Sequence, residues 1–396
     1  MAGLTAFLQA MKLLFASDSF KGTISSTESA QMLEKAAREI FGKDVACKSI
    51  PVADGGEGTT DAVIAARSGK KIHLTVHGPL MEKASAYYGD LGKGEAVMEM
   101  AVASGLPMVP AEKRNPLNTT TYGTGELLRD ALDKGFTKIS IAIGGSATND
   151  GGIGCMKALG VRFLDSDGHE LSGIGADLEK IADIDTNGLD ERIAKTSFTV
   201  MCDVTNPLCG KDGATYTFGR QKGATAEIQD RLEKGMQNYR DIIIKKFGIN
   251  PDEIAGSGAA GGLGAALLVF LKAKLKSGIE TVLDLTDFDS LLDGVDFVVT
   301  GEGRTDWQSC FGKVVQGVGD RCKNKGVPAL ALVGSMGKDA DKIFEHGICS
   351  MLPTVVDTIS LEEALAHAKE AYYDGALRLF RFIKTGMAIN ERKRGL

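Results

Sequence analysis

"KLLFASDSFKGTISSTESAQMLEKAAREIFG" (residues 12–42) decides the fold. Its first part, "KLLFASD" (12–18), is an apolar run that reads as a buried strand. From Ser25 the apolar residues return at helical spacing behind a serine N-cap, and the pattern stops at Gly42. The unit then repeats. "CKSIPVAD" (47–54) is a second strand, and "GGEGTTDAVIAARSG" (55–69) turns into a second helix. Strand, helix, strand, helix is the opening of a doubly wound α/β sheet.

From about residue 71 the pattern changes. "KIHLTVHGPL", "ASAYYGDL" and "EAVMEMA" are short, partly alternating strands separated by turns, as in an antiparallel ribbon. A helix–strand–helix unit follows in "TGELLRDALDKG", "KISIAIGG" and "DGGIGCMKALG". Then come a strand, "SFTVMCDVT" (197–205), and a long charged helix near 225–247. "GSGAAGGLGAALLVFLKAKLKSG" (256–278) reads as a glycine-rich turn feeding an apolar helix. After about residue 285 the strands "DFVVTGEG", "PALALVGS" and "CSMLPTV" alternate with helices, the last spanning about 360–386. This organisation predicts a discontinuous α/β domain from residues 11–70 and 285–388. A second α/β domain, 71–284, is inserted into it, and 1–10 form an N-terminal extension.

Composition bounds the function. With 43% apolar and 25% charged residues the chain has an ordinary globular profile. A net charge of −6 and no long basic run apart from the terminal "ERKRGL" argue against nucleic acid as a partner. No apolar stretch has the length of a membrane span. Seven cysteines, an odd number at irregular spacing without a CxxC, read as reduced thiols, so a cytoplasmic protein is expected. The five histidines offer no zinc-binding spacing.

The 50 glycines fall at junctions between elements, and five of those junctions carry acids, amides or hydroxyls. "SDSFKG" holds Asp18 and Lys21; "PVADGGEGT" holds Asp54 and Glu57. "IGGSATNDGG" (143–152) holds Gly144, Gly145, Ser146, Thr148, Asn149 and Asp150. "CDVTNPL" holds Asp203 and Asn206, and "VVTGEGRTDWQ" (298–308) holds Glu302, Arg304 and Asp306. Any one of these is an ordinary turn or helix cap. Five of them at strand ends, where open α/β sheets keep their ligands, fit a phosphoryl-transfer site. Glycine-rich turns ahead of helices offer backbone N–H groups to phosphates. Carboxylates suit Mg²⁺, a hard ion that prefers oxygen. Lys and Arg offset charge on the moving phosphoryl group, and a further carboxylate takes the acceptor's proton.

The standard nucleotide fingerprints are missing or weak. No GxxxxGK[ST] is present, and "GSGAAG" (256–261) satisfies GxGxxG without a convincing strand before it. A nicotinamide-dependent oxidoreductase is therefore a poor rival. A kinase for another small hydroxy acid, or a non-catalytic binding protein, remains an alternative.

Taken together, "DSFKGTISS", "PVADGGEGT", "GTGELL", "IGGSATNDGG", "CDVTNPL", "GSGAAGGLG" and "TGEGRTDWQ", in this order, resemble the bacterial glycerate kinase family of class I, from about Met11 to residue 385. The resemblance implies a Rossmann-like domain interrupted by a second α/β domain, with the active site in the cleft between them. It also implies ATP- and Mg²⁺-dependent phosphorylation of D-glycerate, with 2-phosphoglycerate the product associated with this class and 3-phosphoglycerate the alternative. On that basis Arg304 and Lys21 are expected to hold the glycerate carboxylate, with Asp18, Asn206 and Glu302 lining the substrate site. Asp306 is the expected general base, a role that Asp203 could exchange with it. Asp54, Glu57 and Asp203 are candidates for Mg²⁺, and the 144–150 turn for the phosphates. Thr124 and Glu126 are secondary candidates. One departure is visible: the family more often has Ile where Thr305 stands and a small residue where Trp307 stands. A monomer and a homodimer are equally compatible with the sequence.

Overall fold

The computed structural model describes residues 11–20, 22–310 and 312–394. The N-terminal extension 1–10 and Lys21 lie outside the described residues. The chain is an α/β protein with a five-stranded parallel sheet and a second, six-stranded mixed sheet. It divides into two compact units. The first comprises 1–54, 65–67 and 279–396, and the second 55–64 and 68–278. All seven cysteines are free thiols. No helix among the described residues is long and apolar enough to cross a membrane.

In the first unit the strands run in the order Ile348–Pro353, Ala329–Val333, Phe297–Gly301, Lys12–Ser17, Ala46–Ser49, all parallel. The central strands have no polar face because helices cover both sides, so Leu13, Leu14, Phe15 and Ala16 are all buried. On one face Phe15 and Phe297 pack against helix Ser26–Phe41 and the closing helix Ala368–Arg394, with the Phe41 and Phe380 rings 5.5 Å apart. On the other face Leu14, Ala16 and Val298 meet Ile279, Leu283, Val314 and Val318. Helix Ser26–Phe41 begins where its sequence predicts: Ser25 accepts from the Glu28 amide while Glu28 accepts from the Ser25 amide, a reciprocal capping box.

The second unit's sheet runs Lys274–Lys276, Ser197–Met201, Lys138–Ala142, Glu95–Glu99, Lys83–Gly92, Lys70–His77. The first four strands are parallel and the last two extend the sheet as an antiparallel ribbon. Two details differ from the sequence reading. The apolar helix ends at Leu271, where Lys272 turns left-handed (φ 52°), and 274–276 form an edge strand. The closing helical region is broken at His367 into Leu361–Ala366 and Ala368–Arg394.

Candidate active site

In the first unit the polar residues gather where the strand order reverses. Strands Lys12–Ser17 and Phe297–Gly301 are parallel neighbours in register from Leu13/Phe297 to Ser17/Gly301. Their chain continuations diverge to opposite edges of the sheet. A crevice therefore opens beyond their carboxyl ends, the usual ligand position in an open α/β sheet. The Asp18 amide donates to the Gly301 carbonyl at 2.9 Å, which joins the two strand ends at its floor. The cavity there has a volume of about 560 Å³, and Asp18, Asp54, Glu302, Arg304 and Lys313 are among the residues that line it.

Glu302 is buried and accepts a 2.8 Å hydrogen bond from the Thr305 hydroxyl, itself buried. Burial pushes the Glu302 carboxyl up, while hydrogen bonds from the Ser309 and Thr305 hydroxyls and the nearby Lys313 charge pull it back. Arg304 projects into solvent with its side chain 67% exposed, and its Nε lies 3.5 Å from Asp306 Oδ2. The Gly337 loop packs closely on this pair: a Cβ at Gly337 would fall 2.8 Å from the Asp306 Cβ and 3.0 Å from Arg304 Nη2. Trp307 is exposed and borders a separate cavity of about 360 Å³ with Cys310, Lys338, Asp339 and Lys342.

In the second unit three glycine-containing loops meet at the carboxyl edge of the parallel strands. Gly55 has φ +85°, and a Cβ there would lie 2.9 Å from the Gly278 Cα and 3.8 Å from Asp203 Oδ2. The Asp203 carboxylate accepts from the Gly278 amide at 3.0 Å. A Cβ on Gly144 would sit 3.6 Å from the Gly55 carbonyl oxygen. The structure thus brings Gly55, Gly144 and Asp203 into one neighbourhood. Gly144, Gly145, Glu57 and Asp203 are exposed there. Asn206 is half-buried and donates to the Asp212 carbonyl at 2.7 Å.

The rest of the 144–150 stretch turns inward. Ser146, Thr148, Asn149 and Asp150 are buried. Asp150 accepts from the Thr121 amide (2.7 Å) and hydroxyl (2.8 Å) and from the amides of Gly152 (3.1 Å) and Gly154 (3.3 Å). Its carboxyl is raised by burial against those bonds. Asn149 donates to the Thr215 hydroxyl at 3.0 Å. These side chains brace the loop from within, leaving its exposed surface to backbone at Gly144 and Gly145. Glu126 is engaged by the His77 amide at 2.7 Å and ring at 3.1 Å, and Thr124 shares a 2.8 Å hydrogen bond with Ser104.

Three polar residues of these regions escaped the sequence reading. Glu99 is buried at the end of its strand and accepts from the Thr60 amide (2.7 Å) and the Gly58 amide (3.3 Å), at the start of helix Thr59–Arg67. Burial raises its carboxyl and those bonds oppose the rise. Its signal was an acid at a strand end, the same signal that marked Asp54 and Asp203. Lys222 is buried, with its ammonium 2.6 Å from the Thr148 carbonyl; burial lowers it to about 7 while Asp150 opposes the change. Lys313 lines the first unit's cavity. A third acidic group, Asp165, Asp167 and His169, lies on an exposed turn, where Asp165 accepts the backbone amides of the other two.

The sequence pattern of the glycerate kinase family matches residues 13–384. The chain belongs to the glycerate kinase family. It is accordingly a phosphotransferase. The chain is similar to a glycerate kinase of Bacillus subtilis, with 46% identity over 362 residues, 91% of this chain and 94% of that one. It is similar also to the glycerate 2-kinase of Escherichia coli, with 45% identity over 386 residues, 97% of this chain and all of the other. A crystal structure from Salmonella typhimurium LT2, of a protein provisionally assigned as a glycerate kinase 2, superposes with a TM-score of 0.86. It shares 42% identity and covers 96% of this chain and 99% of its own. Glycerate kinases thus match this chain over nearly their whole length, so the strand-end crevices lie within the family's common region.

Proposed function

We propose that this protein transfers the terminal phosphoryl group of ATP to D-glycerate, at the 2-hydroxyl, giving 2-phosphoglycerate. The observation that carries the reading is the first unit's cavity, where Asp18, Glu302, Arg304 and Lys313 converge at the strand-order reversal of a glycerate kinase fold. Full-length similarity to an enzyme named glycerate 2-kinase supports the 2-position. In this reading the first unit is a Rossmann-like domain whose sequence is interrupted by the second.

The exposed guanidinium of Arg304 suits a carboxylate, which it can meet with two parallel N–H donors. Lys21, three positions after Asp18 in the sequence, is the proposed second cation. Asp306, paired with Arg304, is the proposed base for the acceptor hydroxyl, with Asp203 as the alternative. Glu302, buried and held by two hydroxyls, fixes the loop that presents Arg304. Exposed backbone at Gly144 and Gly145 is the proposed phosphate contact, with Ser146, Thr148, Asn149 and Asp150 supporting it. The carboxylates of Asp54, Glu57 and Asp203 are oxygen donors in partly or fully exposed loops, a donor set that fits Mg²⁺. When bound, that ion would neutralise charge on the phosphates. The protein's own share is positioning and fixed charge, which carry most of the catalysis in phosphoryl transfer.

Proton-coupled phosphorus NMR of the product tests the reading. An ester at C2 couples to one carbon-bound proton and gives a doublet, whereas an ester at C3 couples to two and gives a triplet. A doublet is expected. A triplet would move the site of transfer, and an unreacted mixture would remove glycerate as the acceptor, in favour of another small hydroxy acid.

A further inference from the structure

The first unit's cavity has a second half that glycerate does not explain. Besides Asp18, Glu302 and Arg304, it is lined by an apolar set, Ile24, Ile359, Leu361, Ala364 and Leu365. Leu361 is 74% exposed, Leu365 47% and Ile359 39%. Among the described residues none of these three joins any of the apolar cores. Leu361, Ala364 and Leu365 stand at helical spacing on helix Leu361–Ala366, so a single stripe of that helix is turned to the cavity. Large apolar side chains clustered at the rim of a polar crevice mark a surface that something covers.

Glycerate cannot be that occupant. It has seven heavy atoms and carries a hydroxyl or carboxylate on every carbon, so it has no apolar face to bury. A cavity of about 560 Å³ is of the size that holds ligands several times larger. A phosphoryl donor, in contrast, has two ends of opposite character. Its heterocycle presents two flat, largely apolar faces, and its phosphates demand cations. The cavity offers both kinds of lining, a cation in Lys313 and an apolar surface in the leucine stripe. The alanines 364, 368 and 371 leave room for a flat ring, and the hydroxyls of Ser335 and Thr354 line the same cavity, where a sugar would need partners.

We propose that the apolar half of this cavity, between Ile24 and the Ile359–Leu365 segment, is the slot for the purine nucleoside of the phosphoryl donor. The inference rests on the kinase reading for the identity of the donor and adds where its base is held.

The test is calorimetric titration of the full chain with ADP and, separately, with inorganic tripolyphosphate, which has the phosphates but no base. Two variants probe the slot. Ala364→Trp fills it, and Leu361→Asp with Leu365→Asp makes it polar at exposed positions where folding is not at stake. The expected result is a rise of at least tenfold in the ADP dissociation constant in both variants, with tripolyphosphate binding and the KM for glycerate within about twofold of the parent. ADP affinity within twofold of the parent in both variants would overturn the assignment, as would equal affinity of the parent for ADP and tripolyphosphate. A parent dimer that dissociates in the double variant with ADP affinity unchanged would give the patch to a second copy of the chain, and also overturns it. Failure is separable from failure of the proposed function. Loss of ADP binding in the variants of a chain that does not phosphorylate glycerate keeps the slot and removes the acceptor. Phosphorylation of glycerate with variants indifferent to ADP does the reverse.

Discussion

The Thr305 hydroxyl donates to the Glu302 carboxylate at 2.8 Å, with both side chains buried beneath the exposed Arg304. An isoleucine at 305 could fill the space but could not make the bond. Thr305→Val is the closest test, because it keeps the volume and removes the donor. It leaves a buried acceptor with one partner fewer, at a cost of about 1–3 kcal/mol. The expected outcome is a lowered denaturation midpoint for the first unit, with turnover falling further than stability because the loop carrying Arg304 loses a tether. Equal stability and equal turnover would show that the Ser309 hydroxyl suffices.

Glu302 also sets a pH dependence. Its carboxyl is raised in the folded protein by burial. Between its unfolded value and the raised one, the folded chain binds a proton that the unfolded chain has lost, so stability falls as pH rises through that window. Glu302→Gln removes the ionisation. The variant is expected to gain thermal stability over the parent at pH 8 and to lose that advantage toward pH 4, as read by melting temperature against pH. A difference that does not vary with pH would mean that the carboxyl titrates normally.

Lys222 acts over a different range. Its amine is lowered from 10.5 to about 7 by burial, with Asp150 opposing. From pH 7 to 10.5 the unfolded chain carries the proton and the folded chain has released it, so stability rises with pH across that interval. Lys222→Met is expected to abolish this rise. It should also loosen the 148–150 backbone, since the Thr148 carbonyl loses its 2.6 Å partner. Hydrogen exchange around 148–150 reads the second effect independently.

Much of the architecture was legible because periodicity is a local property. The runs "KLLFASD" and "DFVVTGEG" have no polar face, and strands buried on both sides are built that way. The edge strand Lys274–Lys276 was not legible. Three residues of "KLK" at a sheet margin look like the frayed end of the preceding helix, and only the left-handed turn at Lys272 separates them. The candidate site divides in the same way. That Asp18 and Glu302 belong to one α/β domain follows from the strand–helix alternation at both ends of the chain; that their strands are direct neighbours is seen only in the sheet order. Which way the polar residues of "GGSATND" point does not follow, because Ser, Thr, Asn and Asp serve equally well facing a ligand or bracing a loop. Burial of Thr148, Asn149 and Asp150 is decided by Thr121, Thr215 and Lys222, far away in sequence. Glu99 was passed over because one acid in "EAVMEMA" fits an alternating strand.

The Arg304–Asp306 pair gives the most direct test of the proposed chemistry. Arg304 is largely exposed, and exposed ion pairs contribute little to stability. Arg304→Ala and Asp306→Asn should therefore fold like the parent. Each is expected to lower turnover at least about a hundredfold, within the range for a general base or a charge-stabilising arginine. The two should differ in kind: Arg304→Ala is expected to raise the KM for glycerate as well, while Asp306→Asn acts mainly on kcat. Near-parental turnover of Asp306→Asn would remove it from the base role and favour Asp203.

Gly55 and Gly58 allow backbone conformation to be separated from close approach. Both have φ +85°, so an alanine at either position pays for a left-handed conformation, of order 1–3 kcal/mol. At Gly58 a Cβ would meet no heavy atom within 4 Å. At Gly55 it would meet the Gly278 Cα at 2.9 Å and the Met201 Cβ at 3.3 Å, backbone and strand atoms that cannot swing aside. Gly55→Ala is therefore expected to be the more destabilising of the two. It should also expose the Gly278 amide, now bonded to Asp203, to faster hydrogen exchange, which Gly58→Ala should leave unchanged. Since Gly144 packs on the Gly55 carbonyl, the displacement should carry into the proposed phosphate loop and raise the KM for ATP in Gly55→Ala beyond that in Gly58→Ala. Equal effects of the two alanines on exchange and on KM would mean that left-handed geometry alone, and not the contact among the three loops, requires glycine at position 55.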